Sequence, residues 1–410
     1  MSTRPFRFVH ASDFHLEQPL MGVAEVPDHL RDLFLDAPYL AARSVFDTVL
    51  AEDADFLVLP GDILHADDTG PRGPLFLVEQ FLRLAERGIG VYWAGGAVDL
   101  PDAWPAALAL PPNVHVFPQG RVEDVVVERN DALLARLVGA SRDRQHAAKP
   151  NDFVPDPAGM YSIAAMHGEA DTAVMQARAF PYWALGGRHD RCTPASGQQI
   201  IHYCGSPQGR CPDESGVHGC TLVQVDGQRQ TRTSLIPTEA VRWLNERLVI
   251  DASASREELE TRIRDRIHAL LDASPTTGLL IRWTIAGQGP MITALRRTRL
   301  AAELLEGLRD AYGHGTPAAW SLSLDVELSE TLPPEWYEQE TIRGDFLRAV
   351  RQLQMNPEEP LALETYMAES HLAGILSGAA GFSSQSARDA VLREAATLGV
   401  DLLSGEESQP

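Results

Sequence analysis

Four short apolar runs are each followed by an aspartate, a histidine or both, and no other feature of the chain restricts its fold so tightly. FRFVH (6–10) leads to Asp13 and His15, and DFLVL (55–59) leads to Gly61 and Asp62. YSIAAM (161–166) runs directly into His167, and YWALG (182–186) precedes His189 by three residues. A fifth run, IGVYW (89–93), has the same character. Runs of this length and composition are strand signals. Between the first two, residues 38–51 place Leu40, Val45, Phe46 and Val49 at near-helical spacing, so a strand, helix, strand unit is expected. In sheets built from such units, functional residues gather where strands end.

A divalent metal that activates water for attack on phosphorus needs hard oxygen and imidazole donors converging from separate loops. The pairs DxH and GD are each weak signals, because short patterns recur by chance and a lone histidine is more often a satisfied core or surface residue. Their order and their common placement after apolar runs make the set specific.

Composition narrows the remaining choices. At 410 residues the chain exceeds the roughly 250 to 300 at which single cores stop growing, so two or three domains are expected. The net charge of −22 repels polyphosphate partners over most of the surface, so any nucleic-acid contact has to be local. The single lysine, Lys149, follows no glycine-rich GxxxxGK loop, which excludes a P-loop nucleotide site in this chain. Residues 1–20 lack the basic start and apolar core of a secretory signal, and no stretch has the length of a membrane span; a cytoplasmic location and no membrane partner are expected. Cys192, Cys204, Cys211 and Cys220 are expected to be free thiols, since their spacings are not the paired CxxC of a zinc site.

Organisation changes twice along the chain. Residues 1–238 carry the metal-competent runs. Residues 239–329 alternate strand 246–250, helix 256–271, strand 278–285, helix 293–312 and strand 320–327, which reads as a small α/β domain. Ser255 and Glu258 form a capping-box pattern at the start of its first helix. Residues 330–410 read as helices near 340–354, 361–377 and 384–398, followed by a disordered tail. Apolar residues of that segment, among them Phe346, Leu347, Val350, Leu353, Leu361, Tyr366 and Leu372, suit a partner-binding surface.

Three segments carry a resemblance. HASDFHLEQPLMG, LVLPGDILH, and YCGSPQGR followed by ESGVHGCTLVQVDG resemble the SbcD-type nucleases, especially their YhaO-like branch, within the calcineurin-like metallophosphoesterase superfamily. The resemblance covers most of the chain. It implies an α/β fold: a metallophosphoesterase β-sandwich flanked by helices, a small α/β capping domain, and helices that bind a partner. It places a first metal, by implication Mn2+, between Asp13, His15, Asp62 and His189, with Asp62 bridging to a second metal also held by His167.

The chain departs from that pattern at three positions. Ala97 stands where the family has a ligand asparagine, Val98 where it has the histidine that acts as general acid, and Gly187 where it has a ligand histidine. One tightly held metal, a second that is weak or absent, and no assignable catalytic side chain are therefore expected. Asp99, Asp190 and Arg188 are the nearest groups able to compensate, and His65 and Asp67 are candidates to support the ligands. Arg296, Arg297 and Arg299 read as a solvated helix face.

Two functions remain open. One is a metal-dependent phosphodiesterase or nuclease subunit acting in DNA repair or processing. The other is a catalytically degenerate subunit that binds and regulates an SMC-like coiled-coil ATPase, the partner the resemblance implies in either case. Homodimerisation is left open.

Overall fold

Phe8 and Val9 are neighbours in β1 (Phe6–His10), and because strand side chains alternate between faces they enter two different cores. The computed structural model describes residues 4–23, 26–65, 70–145, 148–169, 171–287, 289–327, 332, 334–356, 361 and 385–403. β1 lies inside a six-stranded sheet of order β12-β11-β1-β2-β3-β4, parallel to β2 (Phe56–Leu59) and antiparallel to β11 (Gly219–Val225). The parallel neighbours continue through β3 (Gly90–Trp93) to β4 (Val114–Val116), and β12 (Thr231–Pro237) forms the other edge.

A second six-stranded sheet has the order β5-β6-β7-β8-β10-β9. It comprises β5 (Glu123–Arg129), β6 (Ala132–Ala140), β7 (Ser162–His167), β8 (Tyr182–Gly186), β9 (Cys192–Ala195) and β10 (Ile200–Tyr203). Phe8 and Phe56 of the first sheet stack at 4.8 Å, and Phe8 meets Tyr182 of the second edge-on at 5.4 Å. Ile163, Leu137 and Val58 complete this inner layer, so the sheets form a sandwich.

The opposite face of each sheet is covered by helices. Val9, Leu57 and Leu59 pack against Val45 and Phe46 of α1 (Asp28–Ala51) and Phe81 of α2 (Arg72–Ala85). On the second sheet, Ala164, Met166 and Trp183 pack against Phe153, Phe180 and Met175, the last carried by α3 (Thr172–Gln176). This is the β-sandwich flanked by helices that the resemblance implies. β2, β7 and β8 read as continuous, largely apolar runs because both of their faces are buried.

α1 starts at Asp28, ten residues before the helical spacing begins at 38, and runs through Pro38. Leu30, Phe34 and Ala37 of its first half are buried in a cluster with Val241, Trp243 and Leu280. That burial outweighs the helix-breaking tendency of an internal proline.

The chain forms two compact units. One comprises 1–245, 267–282 and 308–322; the other comprises 246–266, 283–307 and 323–410. The segment 239–329 contributes to both. Its strands β13 (Val241–Ile250), β14 (Gly278–Gly287) and β15 (Ala319–Val326) form a three-stranded sheet in that order. Helix α4 (Arg256–Ala273) is capped by the Ser255 hydroxyl, which accepts the N–H of Glu258 at 3.2 Å. The single helix expected over 293–312 is two, α5 (Pro290–Arg297) and α6 (Leu300–Tyr312). Thr298 is extended and its hydroxyl accepts the N–H of Leu300 at 3.1 Å, so it ends one helix and caps the next.

In the second unit, α7 (Ile342–Met355) pairs with α8 (Gln385–Leu403) through Leu347, Val350, Leu392, Ala396 and Val400. Phe346 and Leu353 are partly buried against that cluster, whereas Ile342, Met355 and Leu398 are exposed. The helix expected over 361–377, except for Leu361, and the tail beyond 403 lie outside the described residues. All four cysteines are free, and among the described residues no helix is long and apolar enough to cross a membrane.

Candidate metal centre

Asp13, His15 and Asp62 all have positive φ, at 57°, 47° and 54°. Aspartate and histidine are among the few residues that tolerate this region, and non-glycine residues held there concentrate at functional sites. The turns after β1 and β2 are locked to each other by backbone bonds. The N–H of Asp13 donates to Gly61 O at 3.0 Å and that of His15 to Asp62 O at 2.9 Å. The ends of β7 and β8 bring His167 and, three residues further, His189 to the same place.

Two overlapping donor groups result. Ligand atoms of Asp13, His15 and His189 lie within 4.8 Å of one another, as do those of Asp13, Asp62 and His167. Asp62 Oδ2 is 3.9 Å from His15 Nε2 and 3.4 Å from His167 Nε2, so it lies between the groups. Asp13 belongs to both. The expected second site therefore has three donors, because Asp13 reaches it as well as Asp62 and His167.

Each donor is oriented by something behind it. Asp13 accepts the N–H of Gly187 on both carboxylate oxygens at 3.0 Å and the hydroxyl of Ser12. Asp62 Oδ1 accepts the N–H groups of Ala97 and, at 3.1 Å, Val98, leaving Oδ2 to the histidines. The positions lacking ligand side chains thus still hold the ligands through their backbone. His167 Nδ1 is bonded to Pro60 O at 3.0 Å and His189 Nδ1 to Glu214 Oε1 at 2.6 Å, which leaves both Nε2 lone pairs facing the donors. His15 Nδ1 meets His65 Nε2 at 2.9 Å, so His65 supports a ligand; Asp67 lies outside the described residues.

Burial pushes the Asp13 carboxyl up to about 6. It pushes the His15 imidazole down to about 2, with the Arg210 charge acting in the same direction. The hydrogen bond that His189 donates to the Glu214 carboxylate raises the imidazole above its ordinary value. Two buried carboxylates and three imidazoles, with His15 Nε2 and His189 Nε2 only 3.0 Å apart, fit a divalent first-row cation. Such an ion would be held by Asp13, His15 and His189, or by Asp13, Asp62 and His167.

The compensating groups expected from sequence do not reach the donors. Asp99 is buried and spends both oxygens on the N–H groups of Asp62, Ile63 and Gly96 and on Trp93 Nε1. Arg188 pairs with Glu169 at 2.8 Å and lies over the Tyr203 ring, and Asp190 is exposed. Sequence reasoning missed Gln18, Arg210 and Glu214. Arg210 and Glu214 stand inside the quoted segments YCGSPQGR and ESGVHGCTLVQVDG, but no spacing rule ties Glu214 to a histidine 25 residues earlier.

A two-sheet sandwich whose strand ends deliver this donor set is the arrangement that the resemblance to calcineurin-like metallophosphoesterases implies. No protein-family model matches the chain. Over 341 residues it is 25% identical to the "Uncharacterized metallophosphoesterase YhaO" of Bacillus subtilis (strain 168), covering 78% of this chain and 81% of that one. The chain is thus similar to a metallophosphoesterase over most of its length. Among solved structures, Vacuolar Protein Sorting 29 of Cryptosporidium parvum aligns with 57% of this chain and 99% of its own at 13% identity and a TM-score of 0.26. A predicted phosphoesterase of Streptococcus pneumoniae aligns with the same shares at 12% identity and a TM-score of 0.25.

Proposed function

We propose that the chain is a metal-dependent phosphodiesterase or nuclease subunit of SbcD type that uses Mn2+ in DNA repair or processing. The observation that carries this reading is the convergence of Asp13, His15 and His189 with Asp62 and His167. A divalent ion bound there supplies Lewis acidity toward a phosphoryl oxygen and a nucleophile at neutral pH. Asp13 and Asp62 contribute the negative charge that retains a dication, and His189, fixed by Glu214, presents an unprotonated Nε2 to it. The test is hydrolysis of single- and double-stranded DNA and of a chromogenic phosphodiester with Mn2+, set against Asp62→Ala. Hydrolysis abolished by Asp62→Ala supports the reading; rates equal in both proteins would remove it.

The absence of side-chain donors at Ala97, Val98 and Gly187 favours a second reading, a subunit with weak or no hydrolysis that serves an SMC-like ATPase. Under either reading, 239–329 is proposed as a capping domain and 330–410 as the partner-binding segment, in a cytoplasmic complex that meets DNA locally. Removing residues 335–410 is expected to leave a metal-binding remainder that no longer captures the ATPase. A truncated chain that binds the ATPase as well as the full chain would contradict the assignment.

A further inference from the structure

Arg210 is 7% exposed, and among the described residues no carboxylate lies within ion-pair distance of its guanidinium. Its Nε is buried with no hydrogen-bond partner. Its Nη2 donates to Gln18 Oε1, and the Gln18 amide in turn meets His65 Nδ1 at 3.3 Å, so the guanidinium connects through two side chains to His15. The backbone is pinned on both sides: the N–H donates to Glu214 Oε2 at 2.8 Å and the carbonyl accepts the N–H of Met21 at 2.8 Å.

A guanidinium taken out of water without a paired anion is costly, and folded chains keep such a group where an anion completes it. Burial lowers the Arg210 pKa; the charge of Glu214, and less strongly those of Asp13 and Asp62, acts to raise it, but the Gln18 and His65 side chains are what tie the guanidinium to the metal donor His15. A planar guanidinium suits the oxygens of a tetrahedral phosphoryl group.

We propose that Arg210 binds a non-bridging phosphoryl oxygen of the substrate, supplying the positive charge that the chain does not provide from side chains at Ala97, Val98 and Gly187. This rests on the metallophosphoesterase reading. The binding is of a phosphate ester or of free phosphate alike, and neither class requires a base-specific contact.

The test uses full-length protein and the variants Arg210→Met and Arg210→Gln, with two titrations: Mn2+ alone, then inorganic phosphate into the Mn2+-loaded protein. Both variants are expected to keep saturable Mn2+ binding, no weaker than about that of wild type, because the substitution removes a positive charge and no metal donor. They are expected to bind phosphate about tenfold or more weakly, the size of one charge-assisted hydrogen bond. KM for a chromogenic phosphodiester should rise with a smaller change in kcat, and Arg210→Lys should recover part of the loss. If Arg210→Met does not fold, Arg210→Gln carries the comparison. Wild-type phosphate affinity in a folded, Mn2+-loaded variant overturns the proposal and leaves the metal centre standing. A wild-type protein that binds no Mn2+ removes the underlying reading and the proposal with it.

Discussion

Glu214 Oε1 lies 2.6 Å from Nδ1 of His189, while Oε2 of the same carboxylate takes the N–H of Arg210. One carboxylate thereby fixes the tautomer of a ligand and the position of the neighbouring loop. Glu214→Gln keeps the shape and removes the charge. It should lower Mn2+ affinity about 10- to 100-fold while the melting temperature stays near that of wild type, as read by calorimetric titration and thermal unfolding. Unchanged affinity would show that His189 needs no such support.

Metal affinity should fall on acidification in two stages. His189 holds its proton to a pH above its ordinary 6.5, so it competes first; Asp13, raised to about 6, competes next. Both must lose a proton to bind an ion, so affinity rises with pH through this window and levels above it. His15, pushed down to about 2, stays unprotonated and contributes no slope there. Titrations in a pH series check this, and Glu214→Gln should move the first stage downward. A flat profile across the window would contradict the assignment of Asp13 and His189 as ligands.

Asp99 is a structural clamp. It gathers four donors, from Asp62 at 2.8 Å, Ile63 at 3.1 Å, Gly96 at 2.6 Å and Trp93 at 2.8 Å. Asp99→Ala leaves all four buried without a partner and should cost about 3 to 5 kcal/mol of unfolding free energy, measured from the urea midpoint. A loss below about 1 kcal/mol would show that water or a rearranged turn satisfies the donors.

Restoring side chains should succeed at two of the three altered positions. Ala97 is exposed and Val98 half-buried, so Ala97→Asn with Val98→His has space, and a restored proton donor should raise phosphodiester hydrolysis about 100-fold or more. Gly187 is different. Its φ is +95°, and an added Cβ would lie 3.2 Å from His167 Nε2 and 3.3 Å from Gly168 Cα. Adding Gly187→His should lower stability by about 1 to 2 kcal/mol and bring no further rate. A triple variant that is faster and no less stable than the double would contradict this.

The strands and the five ligand candidates were legible because both signals are local. A run such as FLVL is apolar throughout since both its faces are buried, and Asp62 follows it within three residues. What could not be read depends on contacts far apart in the chain. Gln18 and Arg210 meet across 192 positions and Glu214 and His189 across 25, so neither pair leaves a spacing pattern. The first ten residues of α1 were hidden by Pro38, whose propensity is overridden by the burial of Leu30 and Phe34. Asp99 looked like a replacement ligand because only the folded chain shows its oxygens already taken by four donors.

Asp13 belongs to both donor groups, so a single substitution there tests the metal centre most directly. Calorimetric titration of Mn2+ into wild-type protein should show saturable binding, and Asp13→Asn should weaken it by about two orders of magnitude or more with the fold retained by circular dichroism. Wild-type protein that takes up no Mn2+, or Asp13→Asn protein that binds it as tightly as wild type, would contradict the account.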